Sequence, residues 1–308
     1  MKLVLQLSRQ DPALAKAEAE SLFPKATALH GELLLVEGDA KLLSRLVMTR
    51  FAGKLLTETN TCKGLRLPAY KSFAVRVSRV AGKESSSEII NAVAGQVKGK
   101  VDLETPNAVI RLFTDGKKYW VTEQLYEYSP KSFAERDVNA RMVFHPTSLQ
   151  PKYGRLLVNL TGVKKGKVLD PFCGVGGILL EAADFGLAAQ GIEISEEYAE
   201  GARENAWFYR MEKKVQVDQS DFLEWKGGKF DAIVSDLPYG KSSGLFGKNR
   251  DELYLDAFKK MKTHSKKLVV MAHSDLKPLL KKAGWKTTQW FEMYVHKSMR
   301  RYIHVASA

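Results

Sequence analysis

From Lys167 onward, short apolar runs alternate with amphipathic stretches. Strand-like segments fall at 167–170, 188–193, 214–218, 230–235 and 267–272, and helix-like ones at 176–186, 196–209, 252–263 and 275–283. Tight turns cannot join parallel strands, so a strand–helix alternation of this kind predicts a mostly parallel, doubly wound sheet built with helical crossovers. The last two runs, 286–295 and 300–306, lie too close together for an intervening helix. They are expected to close the sheet as an antiparallel hairpin. In open α/β sheets a ligand settles outside the carboxyl ends of the strands, and the turn Asp170-Pro-Phe-Cys-Gly-Val-Gly-Gly177 occupies such a place after the first strand.

The N-terminal half reads differently. Residues 2–7 alternate like a strand, Asp11-Pro12 opens a helix to about Phe23, Gly31 separates apolar runs at 26–30 and 32–37, and a helix is expected from about Asp39. A second block begins near Thr59. Phe73, Val75, Val77 and Val80 form a strand with Lys71, Arg76 and Arg79 interleaved, Ser87 is placed to cap a helix through about Val97, and Asp115-Gly116 joins runs 107–114 and 118–123. Both blocks read as small α+β units. Residues 129–155 follow as a Pro-punctuated connector in which Lys131, Arg136, Arg141, Lys152 and Arg155 face only Glu135 and Asp137. It is either a solvated linker or a cationic hinge that meets phosphates.

Composition limits the partners. The 308 residues are 44% apolar, enough for two or three compact units. Lys and Arg outnumber Asp and Glu by 48 to 35, a net charge of +13, which points to a polyanion, with nucleic acid ahead of an acidic membrane surface. Cys62 and Cys173 are the only cysteines and metal-ligand spacing is absent, so a reducing compartment is expected, with neither a disulfide framework nor a bound metal. No segment approaches eighteen uninterrupted apolar residues. A soluble, cytoplasmic protein without membrane association is expected.

The glycine turn discriminates among cofactors. Gly174 and Gly176 fit the start of a dinucleotide fingerprint, but position 179 is Leu and Asp170 precedes the turn, and no Gly-Lys-Ser/Thr closes it as a phosphate loop would require. An acidic strand end suits a cationic ligand, and S-adenosylmethionine carries positive sulfonium and amino groups. Glu193, at the end of Gly191-Ile-Glu-Ile194, is placed to accept from both ribose hydroxyls. Asp221 is expected to accept from the adenine amino group, with Phe222 near the ring.

A second motif, Asp236-Leu-Pro-Tyr-Gly240, ends the strand 230–235. An exocyclic purine amine is a poor nucleophile because its lone pair is delocalised into the ring, and acceptors on both N–H groups orient it for attack. Asp236 offers a carboxylate, the Leu237 carbonyl a second acceptor, Pro238 a loop without a competing N–H, and Tyr239 a face for the base. Residues 241–250, with glycines and basic groups, suit either a flap on substrate phosphates or a surface loop.

Together these motifs resemble the THUMP-containing tRNA guanine-N2 methyltransferases of archaea and eukaryotes, over nearly the whole chain. Ser72-Phe-Ala-Val-Arg-Val77 and Val101-Asp-Leu-Glu-Thr-Pro-Asn107 look like THUMP, and Phe144-His-Pro-Thr-Ser-Leu-Gln-Pro151 looks like the segment before the glycine turn. The resemblance implies a ferredoxin-like domain at 1–58, THUMP at 59–130, a linker at 131–150 and a Rossmann-like methyltransferase domain with a seven-stranded sheet at 151–308. It implies S-adenosylmethionine as methyl donor, S-adenosylhomocysteine as product, and guanosine N2 at tRNA position 10 as acceptor. Asp170, Gly174, Gly176, Glu193 and Asp221 are then cofactor contacts, with Pro146 and Leu149 on the methionine side; Phe172, Ile194, Phe222 and Asp236 complete the set. Asp236, Leu237, Pro238 and Tyr239 form the acceptor site, and Leu237 departs from relatives that have a second proline there. Guanosine at position 6 and an inactive RNA-binding scaffold are the alternatives, and a monomer is expected.

Overall fold

The computed structural model describes residues 1–81, 85–145, 148–238, 249–296 and 299–308, and the chain divides into compact units at Met1–Ser129 and Pro130–Ala308. Pro146, Tyr239, Gly240 and the stretch 241–248 therefore lie outside the described residues. Among the described residues no helix is long and apolar enough to cross a membrane.

The first unit contains β1 (Lys2–Leu7), α1 (Pro12–Leu22), β2 (Lys25–Ala28), β3 (Leu33–Glu37), β4 (Thr49–Thr59), β5 (Ser72–Arg79), α2 (Ser86–Ala94), β6 (Lys100–Val101), β7 (Ala108–Thr114) and β8 (Tyr119–Glu127). The Asp11 side chain accepts from Leu14 N–H and Pro12 opens α1, as its sequence requires. The helix expected from Asp39 is a 3-10 turn, Ala40–Arg45, capped by the Asp39 carboxylate. The second helix begins after Ser85, two residues ahead of the expected cap Ser87, and lacks a side-chain cap hydrogen bond.

Its strands form one eight-stranded sheet among the described residues, ordered β2-β3-β1-β4-β8-β7-β5-β6. β4 runs antiparallel to β8 from Phe51↔Glu127 to Thr59↔Tyr119. The expected boundary between residues 58 and 59 thus falls inside β4, an eleven-residue strand that the sequence reading did not mark. Its core side chains also cross that boundary: Val4 and Leu33 pack with Phe113 and Trp120.

The second unit contains α3 (Pro151–Leu160), β9 (Lys167–Asp170), α4 (Gly177–Asp184), β10 (Ala188–Glu193), α5 (Glu196–Phe208), β11 (Val215–Gln219), β12 (Ala232–Asp236), α6 (Arg250–His264), β13 (Lys267–Ala272), α7 (Lys277–Lys282), β14 (Lys286–His296) and β15 (Met299–Ser307). The sheet is seven-stranded among the described residues, ordered β11-β10-β9-β12-β13-β15-β14. Its first five strands in that order are parallel, and β15 pairs antiparallel with both β13 and β14, which is the expected terminal hairpin.

Strand order reverses between β9 and β12. Right-handed crossovers then put α4 and α5 on one face and α6 on the other, leaving a crevice at the carboxyl ends of β9 and β12. Asp170 and Asp236 end those two strands. One apolar cluster, including Leu169, Ile233, Leu237, Phe258 and Val270, holds α6 and α7 to the sheet beneath the crevice.

Residues 130–145 are tied to the second unit rather than left as a solvated linker. Tyr209 Oη donates to the carbonyls of Glu135 and Ala140, and Asn205 bridges both backbone groups of Val143. Arg136 and Arg155 converge on Glu181 of α4, which is fully buried. The cationic side chains of this segment thus serve internal pairing at Arg136, rather than presenting all their charge to solvent.

Candidate active site

The crevice holds a cavity of about 570 Å³ lined by Asp170 to Val175, Glu193 to Ser195, Ser220 to Leu223 and Asp236 to Pro238, and by Arg141, His145 and Leu149. Among the described expected site residues, Gly176 alone is missing from that lining. Gly176 instead sets the turn, with φ of 85° and Ala202 3.2 Å from where a Cβ would stand; Gly174 has φ of 51°. Only glycine takes such backbone angles without strain, which lets the chain pass from β9 into α4.

Glu193 braces this turn from the next strand. Its Oε2 accepts from Gly174 N–H at 2.9 Å and Oε1 from Ser195 N–H at 3.0 Å. Each carboxylate oxygen keeps a further lone pair that a hydroxyl can use. Asp170 is 1% exposed and accepts from Ser235 Oγ at 2.6 Å and Phe172 N–H at 3.2 Å. Burial outweighs those hydrogen bonds, and the neighbouring charges of Asp236 and Glu193 add to it, pushing the Asp170 carboxyl up to about 7.

The Asp221 carboxylate is exposed and turns back to Leu223 N–H at 2.8 Å, whereas Phe222 is 2% exposed, edge-on to Phe172 at 6.0 Å between centroids. Phe222 therefore serves the core as well as the cavity wall. Ile194 is 38% exposed at the same end.

At the other strand end, Asp236 Oδ2 accepts from Arg301 Nη1 at 2.5 Å, and Oδ1 is buried without a hydrogen-bond partner. Burial raises the Asp236 carboxyl above its ordinary range, and Arg301 opposes that rise. Leu237 is buried and donates its N–H to Met271 O, and the Pro238 carbonyl accepts from Tyr254 Oη at 2.5 Å. The leucine thus anchors the loop through the core, where a second proline would remove that N–H. Desolvation of the Tyr254 phenol pushes it up to about 12, so it stays a donor.

The sequence reading missed Arg301, Ser235 and Tyr254. Arg301 lies 65 residues from Asp236 and reaches it only because β15 pairs with β13, where Met271 faces Ile303. Strand alternation carries the only local signal: Arg300 is exposed on Glu292, while Arg301 is 7% exposed.

The residues fit a cationic nucleoside cofactor. Burial raises the Asp170 carboxyl and the charges of Asp236 and Glu193 in the same cavity add to that rise, and a sulfonium and an ammonium would relieve it. Among the described residues no cluster of His, Cys, Asp or Glu could hold a metal ion.

Comparison with known proteins agrees with this geometry. Residues 139–302 match the model of the RMKL-like methyltransferase domain. The chain is 31% identical to a tRNA (guanine(10)-N2)-dimethyltransferase of Pyrococcus abyssi, covering 96% of this chain and 97% of that one. It is 33% identical to the protein of the same name from Methanothermobacter thermautotrophicus, over 76% of this chain and 73% of that one. Among solved structures, TrmN from Thermus thermophilus superposes with a TM-score of 0.52 at 19% identity, covering 100% of this chain and 99% of that one, which shows the shared fold.

Proposed function

Because the chain belongs to the RMKL-like methyltransferase family and to that of the tRNA (guanine(10)-N2)-dimethyltransferases, and so is an S-adenosylmethionine-dependent enzyme, we propose that it methylates the exocyclic N2 of guanosine 10 in tRNA. The observation that carries this reading is the buried, unpartnered Oδ1 of Asp236 beside the glycine turn.

S-adenosylmethionine, when bound, supplies an electrophilic methyl group. Asp170, Gly174, Glu193, Ile194, Asp221 and Phe222 would hold it, with Phe172 and Leu149 also lining the pocket and Pro146, outside the described residues, assigned to the methionine side. Glu193 takes the ribose hydroxyls and Asp221 the adenine amine. Asp236 Oδ1 accepts one N–H of the guanine amine and the Leu237 carbonyl the other, favouring the pyramidal form whose lone pair is free to attack. Arg301 holds Oδ2, so the carboxylate presents Oδ1 in a single orientation. Tyr254 fixes the loop from the Pro238 side, and Tyr239 offers the base a stacking face.

Residues 59–130 act as THUMP and residues 1–58 as a ferredoxin-like part joined to it through β4, and together they grip tRNA. Arg50, Lys54, Arg76 and Arg79 supply charge for phosphates there. The enzyme works as a monomer in the cytoplasm. Incubation with unmodified tRNA and methyl-labelled cofactor, followed by nucleoside mass spectrometry and mapping, should show N2-methyl- or N2,N2-dimethylguanosine at position 10. Label on adenosine, on guanosine 6 alone, or on no nucleoside would refute the proposal.

A further inference from the structure

Three arginines lie along α4, and one of them lacks an anion. Glu181 gives Oε1 to Arg136 and Oε2 to Arg155, and Asp184 Oδ2 is shared by the same two guanidiniums at 3.2 and 2.6 Å. Arg141 is left over. It is 5% exposed, its Nε and Nη2 reach only the carbonyls of Arg136 and Leu149 at 3.3 and 3.4 Å, and its Nη1 has no hydrogen-bond partner. Asp137, the other nearby acid, spends an oxygen capping Asn139 N–H.

The orientation of Arg141 makes the vacancy informative. Its Nη1 lies against Gly177, the first residue of α4, so closely that a Cβ there would stand 2.9 Å from it. Gly176, the N-cap, supplies no side-chain cap. A guanidinium is thus set beside the positive end of a helix in a desolvated place, which is unfavourable unless an anion lies between them. Arg141, Gly177 and Ile178 line the same cavity as Asp170 and Glu193. At 5% exposure the guanidinium is a poor target for a tRNA phosphate, and the cavity it lines is the one that holds the cofactor residues.

We infer that Arg141 and the N-terminus of α4 form a carboxylate site that clamps the amino-acid end of the methyl donor. The inference rests on the cofactor reading and is independent of the tRNA substrate. The planar guanidinium takes a carboxylate oxygen on its free Nη1 edge, and the helix N–H groups take the rest of that charge. Arg141 thereby separates the cofactor's charges: its carboxylate at α4, its cationic groups toward Asp170.

Calorimetry with S-adenosylhomocysteine and its decarboxylated analogue, the adenosyl 3-aminopropyl thioether, tests this on the intact protein. Wild type should bind the analogue about ten- to a hundredfold more weakly. Arg141→Met should weaken S-adenosylhomocysteine by a similar factor and leave the analogue within about twofold. Equal affinity of wild type for the two ligands would overturn the inference even if R141M failed to fold, as would equal weakening of both by R141M. A wild type that binds neither ligand would instead bring down the cofactor reading, and this inference with it.

Discussion

Arg301 pairs with Oδ2 of Asp236 and leaves Oδ1 without a hydrogen-bond partner, so one oxygen of this cavity-lining carboxylate is locked to the terminal hairpin while the other is not. That asymmetry makes Arg301 a positioning residue. Arg301→Met should lower kcat by about a hundredfold through misplacement of the acceptor, with S-adenosylhomocysteine affinity within about threefold. Arg301→Lys should restore part of the loss.

The same pair predicts a pH signature. Burial raises the Asp236 carboxyl and Arg301 pulls it back. Without the guanidinium the carboxyl protonates at higher pH, so the acidic limb of the kcat profile should move upward in Arg301→Met. An unmoved limb, with a lowered plateau, would mean that Arg301 serves structure alone.

Asp170 carries a pH dependence of its own, because its carboxyl is pushed up to about 7. A cationic cofactor requires the ionised form, and below that value the ionised fraction falls by about tenfold per pH unit. Affinity for S-adenosylmethionine, measured calorimetrically between pH 8 and 6, should fall as pH drops through about 7. Asp170→Asn should bind weakly at both ends of that range, with a flat profile.

Gly191 in β10 packs beneath the cofactor turn, where a Cβ would lie 2.6 Å from Cys173 Sγ and 2.6 Å from Leu179 Cδ1. Gly191→Ala should therefore cost about 1–3 kcal/mol in urea unfolding and weaken cofactor binding as the turn shifts. Unchanged stability would show that the turn yields freely.

What could be read from the chain alone followed from local pattern. The strands 188–193 and 267–272 have the bounds expected of them, because short apolar runs ended by turn residues leave little choice of register. The helix α3 escaped notice since Pro151 reads as a break, yet proline is well suited to a first helical turn. The strand β4 escaped because its alternation is diluted by Lys54, Thr57 and Glu58, and its identity comes from pairing with β8 across the sheet. Asp170, Glu193 and Asp236 were legible as strand ends, whereas Arg301 and Arg141 depend on contacts between distant segments. Pro146 and Tyr239 lie outside the described residues.

The central claim is that the Asp236 carboxylate directs the attacking amine. Asp236→Ala, assayed on unmodified tRNA alongside S-adenosylhomocysteine calorimetry, measures it most directly. Retained cofactor affinity with a loss of at least about a hundredfold in turnover is the predicted result. Turnover equal to wild type would contradict the account.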